Sequence, residues 1–363
     1  MEKDLGYRRI QSTGRGSYII SLPKEWVQEL GLKKGSAMEF KLQDDSSLMI
    51  VPGEKSKKEK DDIHKLKEYW IRVDPKEDPK SLCRRITSLY VISADLIHLR
   101  FKEGDAPRYK MTINYLVKNT LLGAEIIDET SNDVTLQILI SNSEFPVEKA
   151  IRRMATLALS ADKDALSALK NMDENLIESV IDTYNDVNRL NPYIVRQLKF
   201  SLERNLFKEL GFKSPKEFLG YRLVVNDIKS LAENAANIAY NIIALKKLIN
   251  EQKLVLKEPI DEEIYLHLLD FSSMAHQFFE ETLKSMFKRS YEHADTMISK
   301  IESSYPLEND LIALISNKKL DPNVSSVFRL ILDDSKQVMA YSRDIAEVTL
   351  HRTIEEISSA QTF

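Results

Sequence analysis

The side chains best suited to hold a polyanion are gathered at the start of this 363-residue chain. Residues 1–35 carry Lys3, Arg8, Arg9, Arg15, Lys24, Lys33 and Lys34 against Glu2, Asp4, Glu25 and Glu29. Seven minus four gives a local charge of +3, inside a chain whose formal net charge is −4. Ammonium and guanidinium groups pair with phosphates, and arginine can also read guanine edges. The same charges would also serve simply to solvate a small domain. The overall acidity excludes a uniformly basic nucleic-acid coat, so any contact with DNA must come from this patch.

Other chemistries find little support. The histidines are His64, His98, His267, His276, His293 and His351. His267 and His276 share one expected helix but stand nine apart, which is not ligand spacing. Cys83 is the only cysteine, so neither an intrachain disulfide nor a cysteine-based metal site can form. No nucleophile–base pairing, phosphate-cradling glycine loop or zinc motif is present, and no catalytic activity is expected. The N-terminus has no apolar stretch of the secretory kind, and the apolar run from Leu89 to Leu99 is broken by Asp95. A soluble, cytoplasmic protein without membrane insertion is the expectation.

The elements that must position the basic patch are short. Tyr7–Ser12 and Ser17–Ser21 read as strands around a turn at Thr13-Gly14-Arg15-Gly16, where glycine supplies the positive φ that tight turns need. Pro23 opens a helix running to Leu30, and Gly31 stops it. Ala37–Leu42 and Ser47–Val51 form a hairpin around Asp44-Asp45. Residues 53–62 contain no large apolar side chain and read as a linker.

Residues 63–145 read as a small α/β module. Strands are expected at Tyr69–Val73 and Leu96–Phe101, with a helix at Ser81–Ser93 between them. A second helix spans Tyr109–Leu122. Glu125–Asp128 and Val134–Ile140 form a hairpin across Thr130-Ser131-Asn132. From Pro146 the apolar period becomes helical, and glycine nearly vanishes: eight of the ten glycines precede residue 130. Helices are expected over Val147–Lys170, over Leu176–Phe207 with a kink at Pro192, and over Lys216–Asn250 with Ser214 as its cap. A second set follows: Asp261–Phe287, Glu292–Ser303, Leu311–Ile315 after an interruption at Pro306, and Pro322 to about Ile357. Two sets in similar order suggest an internal duplication, in which Asn237-Ile238-Ala239 echoes Asp344-Ile345-Ala346. The domains are thus 1–52, the linker 53–62, the module 63–145, and helical repeats over 146–255 and 256–363.

The run from Gln11 through Ser12-Thr13-Gly14-Arg15-Gly16-Ser17-Tyr18-Ile19-Ile20-Ser21-Leu22-Pro23-Lys24-Glu25-Trp26, followed by Leu30-Gly31-Leu32-Lys33-Lys34-Gly35, resembles the AbrB (SpoVT/AbrB) swapped-hairpin family. The resemblance implies a dimer in which hairpins interleave into one β-barrel that offers a basic surface to DNA. It agrees with a size argument: about 50 residues with one short helix bury little apolar surface alone. Arg8, Arg9, Arg15, Ser17 and Lys24 are then the expected DNA contacts. Neighbouring strand residues such as Arg8 and Arg9 point to opposite faces. Lys24 would add a full charge to the phosphate-favouring start of a helix. An antitoxin is a rival use of this fold, opposed by the 300 residues that follow.

Arg152-Arg153-Met154, Asp186-Val187-Asn188-Arg189-Leu190, Val195-Arg196-Gln197-Leu198, Ser214 through Val224, and Ala236-Asn237-Ile238-Ala239 resemble the PhoU family of phosphate-uptake regulators in its archaeal arrangement. Leu121–Glu129 resembles the segment preceding these helices, so the likeness runs over about residues 65–357. It implies two stacked three-helix bundles and, in some members, divalent or iron-type metal held by carboxylates at Glu-x-x-x-Asp spacing, four apart on one helix face. Here Lys229 and Glu233 stand where the first pair is expected, Asp186 and Asn188 at a further acidic position, and Lys336 and Ala340 at the second pair, with Asp344 and Glu347 following. A lysine in a ligand position opposes a cation. No cofactor is expected; any metal would fall to Asp186, Glu233, Asp344 and Glu347. The fold class is multidomain α+β, with a swapped-hairpin barrel, a small α/β module and an all-helical pair of three-helix bundles. The function implied is a homodimeric DNA-binding transcription regulator tied to phosphate uptake or phosphate status. The alternative is an adaptor that docks on phosphate-transport or signalling proteins, its N-terminal domain serving only to dimerise.

Overall fold

The computed structural model describes residues 6–12, 14, 16–42, 47–52, 66–140, 145–204, 206–208, 211–251, 261–318 and 320–358. The chain divides into two compact units, Met1–Leu66 and Lys67–Phe363.

The first unit holds β1 (Gln11–Ser12), β2 (Tyr18–Ile19), α1 (Lys24–Glu29), β3 (Met38–Leu42) and β4 (Leu48–Pro52). β1 pairs antiparallel with β2, placing Gln11 opposite Ile19, and β3 pairs antiparallel with β4, placing Phe40 opposite Ile50. The elements fall where the sequence puts them, but β1, β2, α1 and β3 are shorter and β4 is displaced by one residue. Arg8 and Arg9 precede β1 rather than lying within it. Gly31, at φ 63°, ends α1 in the left-handed conformation that glycine adopts without strain. Arg15, the turn residue Thr13, the hairpin turn at Asp44-Asp45 and the linker 53–62 lie outside the described residues.

The second unit begins with β5 (Glu68–Arg72), α2 (Pro79–Val91), β6 (Leu96–Arg100), α3 (Ala106–Asn119), β7 (Ala124–Glu129) and β8 (Asp133–Ile138). The four strands form one sheet in the order β5-β6-β8-β7, with β5 parallel to β6 and the other pairs antiparallel. Asp78 caps α2 by accepting the Ser81 N–H, with Pro79 in the first turn. Leu82, Ile86 and Tyr90 of α2 and Tyr109 and Ile113 of α3 pack on Ile71, Ile97, Leu99, Val134 and Leu136. The alternating residues of the sheet, among them Glu68, Trp70, Arg72 and His98, therefore belong to the other face.

The rest is helical: α4 (Val147–Asn171), α5 (Glu174–Glu203), α6 (Glu217–Asn250), α7 (Glu262–Lys288), α8 (Tyr291–Ser304), α9 (Pro306–Asn317) and α10 (Pro322–Ile357). α4, α5 and α6 pack on one another, and α10 packs on α7, α8 and α9. α6 against α10 and α4 against α7 join the two groups. Asp173, Asp261 and Asp321 cap α5, α7 and α10 by accepting main-chain N–H groups. α7 and α8 are two helices, as the sequence suggests, broken where Arg289 takes a left-handed conformation at φ 53°. Two expectations are corrected. Pro306 opens α9 instead of interrupting a helix, because its fixed φ and missing N–H cost nothing in a first turn. Ser214 does not cap α6; the N-cap is Lys216. The carboxylate of Glu217 reaches back instead to accept the Lys213 N–H at 2.8 Å.

Candidate functional site

Two sites emerge from the residues, one in each unit.

In the first unit, Arg8, Arg9, Ser17 and Lys24 are all exposed. The Arg8 guanidinium donates to Tyr7 O at 2.9 Å. Lys24 is the first residue of α1, behind Pro23 at φ −60°. The antiparallel register of β1 and β2 places Arg8, Arg9 and the start of α1 at the open end of that hairpin. Ser17 stands at its turn end, so the hairpin does not bring Ser17 beside Lys24. Arg15 lies outside the described residues. The unit's apolar side chains are the more informative feature. Among its described residues only Pro52 is buried. Tyr7, Ile10, Tyr18, Phe40, Leu42 and Leu48 are each more than half exposed. An apolar surface of this kind on so small a unit marks an interaction face.

In the second unit, α6 and α10 run antiparallel through a chain of matched contacts. Glu217 receives the Arg352 guanidinium. A Cβ built on Gly220 would lie 2.6 Å from Val348 Cγ1, so glycine is what lets the helices approach there. The Asn234 amide donates to Asp334 O at 3.3 Å. Between these points Asp227 feels the charge of Asp344, and the Tyr341 hydroxyl donates to Gln337 Oε1 at 2.9 Å. A second polar pair joins α4 to α7, where His276 Nδ1 lies 2.8 Å from Asp162 Oδ2. Ser272 and Ser335 share a buried hydrogen bond of 2.6 Å between α7 and α10.

Burial sets the electrostatics of this seam. Asp227 is pushed up to about 7, first by burial and then by the charge of Asp344. Asp334 is pushed up to about 7 by burial and by the charges of Asp333 and Asp162. Burial also raises Asp162, against the hydrogen bond and charge of His276. Asp344 is raised by burial and by Glu347, with Arg343 opposing. One oxygen of Asp227, Oδ2, has no hydrogen-bond partner among the described residues. At the far end, burial penalises the Glu217 carboxylate. Hydrogen bonds from Arg352, Lys213 N–H and Arg289 outweigh that penalty and hold it below its ordinary value.

Of the four metal candidates, the structure keeps only Asp344 and Glu347 together, one turn apart on α10. Asp186 is exposed on α5. Glu233 is bound by Lys229 at 3.1 Å, and Glu347 by Arg343 at 3.1 Å. Lys336 reaches Glu308 at 2.8 Å. Among the described residues no group of three or more His, Cys, Asp or Glu side chains is placed to share an ion. Sequence reading missed Asp162, Asp227 and Asp334. The signal was present: Asp227 stands in the stripe Val224, Ile228, Leu231, Ala235, Ile238, all of it buried. A carboxylate at helical spacing among apolar residues marks a buried polar site.

Comparison with known proteins agrees with this division. Residues 11–60 match the family model for MazE, described as antidote-toxin recognition, bacterial antitoxin. Residues 151–242 match the PhoU domain. Among solved structures, the chain is similar to PhoU from Pseudomonas aeruginosa, with 15% identity and a TM-score of 0.50 over 59% of this chain and 99% of that one. It also matches the phosphate transport system regulatory protein PhoU from Streptococcus pneumoniae, with 16% identity and a TM-score of 0.47 over 59% of this chain and 96% of that one. At these identities the first likeness speaks for the fold alone. No curated protein matches the chain. Among the described residues no helix is long and apolar enough to cross a membrane. The chain thus joins a MazE/AbrB-like domain at its N-terminus to a PhoU domain within its helical half.

Proposed function

We propose that this protein is a DNA-binding transcription regulator tied to phosphate uptake or phosphate status. It binds DNA as a dimer through residues 1–52, and its helical half is the regulatory and partner-binding part. The observation that carries the reading is the pairing of a MazE/AbrB-like domain with a PhoU domain in one chain. The exposed apolar side chains of the first unit support the dimer, because a second copy would supply the core that one copy lacks. The exposed Arg8, Arg9 and Lys24 support the DNA surface, since phosphate contacts supply most sequence-independent affinity. Arg15 and Ser17 are proposed as further contacts on the strength of the N-terminal sequence run alone. The second unit, Lys67–Phe363, gives the reading its regulatory part and sets the chain apart from a bare antitoxin.

The experiment is genome-wide mapping of DNA bound by the full chain in high and low phosphate. Reproducible promoter peaks whose occupancy changes with phosphate are expected. An absence of enriched sites in both conditions would instead favour an adaptor that meets phosphate-transport or signalling proteins directly.

A further inference from the structure

The sheet of the α/β module ends in two outer strands, β5 and β7. Among the described residues β5 is bonded only to β6. Its parity is fixed by two bonds at its ends. Lys67 O accepts from Leu96 N, and Val73 N donates to Arg100 O. In a parallel ladder every second residue turns both main-chain groups to the same neighbour. The odd residues 67 to 73 therefore face β6, and the main chains of Glu68, Trp70 and Arg72 face outward. A cavity of about 500 Å³ runs along this edge, lined by Tyr69, Trp70 and Ile71 of β5 and by Ser81, Arg84 and Ser88 of α2, among others. It has the form of a slot for one more strand. Trp70 is 67% exposed, on an edge that natural sheets ordinarily protect.

The order of residues along β5 points to its occupant. Glu68-Tyr69-Trp70-Ile71-Arg72 has opposite charges at its two ends and an aromatic at its centre. Laid antiparallel on a copy of itself about Trp70, it sets Glu68 against Arg72 of the other copy at both ends. The same registration pairs Tyr69 with Ile71, an aromatic with a β-branched residue, on the side of the groove. These are favourable cross-strand pairs. The three outward residues are also the three that would exchange main-chain bonds. Arg85, at the groove wall, is already offset by Glu77 at 2.8 Å, so its charge does not oppose a second copy. Glu68 Oε2 lies 3.5 Å from His98 Nε2 with its side chain 47% exposed, which leaves it free to turn toward a partner arginine.

We propose that β5 pairs antiparallel with β5 of a second copy, centred on Trp70, to join two four-stranded sheets into one. The pairing uses residues of the second unit alone and does not depend on what the first unit does.

The test uses the full chain carrying Arg72→Lys, mixed as ordinary and nitrogen-15-labelled protein and treated with a zero-length carbodiimide cross-linker. Within one strand, residues 68 and 72 are about 13 Å apart at their Cα atoms, whereas in the proposed pairing they are direct neighbours. The expected product is a cross-link between positions 68 and 72 that carries one ordinary and one labelled peptide. It is lost in Glu68→Gln/Arg72→Lys and regained, with the roles exchanged, in Glu68→Lys/Arg72→Glu. Both positions are exposed, so far-ultraviolet circular dichroism should show the native helix content in all three variants. Mixed-isotope cross-links elsewhere with none between 68 and 72 would overturn the proposal. So would a cross-link between 68 and 72 that never occurs in the mixed-isotope form after the two proteins have exchanged subunits. An edge reserved for a different protein's extended segment would give that negative result.

Discussion

Asp227 of α6 feels the charge of Asp344 of α10 across the seam between the two helical groups, and Asp227 Oδ2 has no hydrogen-bond partner among the described residues. A buried carboxylate beside another carboxylate cannot ionise cheaply, and Asp227 is buried while Asp344 is half-buried. Asp227 responds by holding its proton up to about 7. The folded chain then binds that proton more tightly than the unfolded chain, whose carboxyl titrates at about 3.9. The resulting stabilisation is complete below the unfolded value and is lost as pH rises through about 7. Asp334, also near 7, adds to it in the same direction. Thermal unfolding of the wild type should therefore shift to lower temperature between pH 5 and pH 8. Asp227→Asn should raise the midpoint at pH 8 and flatten the slope, by about 1–3 kcal/mol for the relieved charge. A slope unchanged in Asp227→Asn would show that other groups set it.

The α/β module is tied to the helices by one buried side chain. Arg196 of α5, 6% exposed, donates to Tyr90 O at 2.8 Å and Ala94 O at 2.7 Å and pairs with Asp95 at 3.1 Å. Removing it strands the Ala94 carbonyl, while Tyr90 O keeps the Ser93 N–H at 3.1 Å and Asp95 keeps the Lys67 N–H at 2.9 Å. Arg196→Met should cost about 1–3 kcal/mol, with hydrogen exchange accelerated first in residues 90–95. A loss below about 1 kcal/mol, an ordinary surface value, would mean that the apolar contacts of α2 with α5 carry the junction.

Much of this molecule is legible in its residues. The 3.6-residue period and the caps Asp173, Asp261 and Asp321 locate the long helices. The Pro192 position lies inside α5, as its flanking apolar stripe implies. The module's strands are equally plain because each is bounded by turn residues. The antiparallel match of α6 with α10 is less legible. It depends on Gly220 meeting Val348 and Glu217 meeting Arg352, pairs far apart in the chain with no local signature. The seam carboxylates were hidden for a related reason. Reading Lys229 and Glu233 by motif position drew attention to the exposed side of α6, while Asp227 sat on its buried side. β1 and β2 are shorter than the apolar pattern suggests, since among the described residues they pair only with each other.

Metal is not what holds the helical half together on this account. Glu233 and Glu347 are each engaged by a cation four residues away, and the apolar stripes of α4 to α10 are continuous. Chelator treatment of the full chain should move the unfolding midpoint by less than about 1 °C. For a single domain, a shift of several degrees would correspond to about 1 kcal/mol or more of binding energy and would reveal ligands outside this set.

The most direct test of the proposed function is a titration of the full chain on a mapped promoter fragment at several salt concentrations. Wild type is compared with Lys24→Ala, Arg15→Ala and Arg8→Ala/Arg9→Ala. In a two-fold dimer each lost phosphate contact acts twice, so Lys24→Ala should lower the salt slope of log K by about 2. If Arg15 reads a base, Arg15→Ala should cost about 1–3 kcal/mol per half-site and blur sequence preference. Binding by all three variants with wild-type affinity and an unchanged slope would contradict the account and leave the first unit as a dimerisation device.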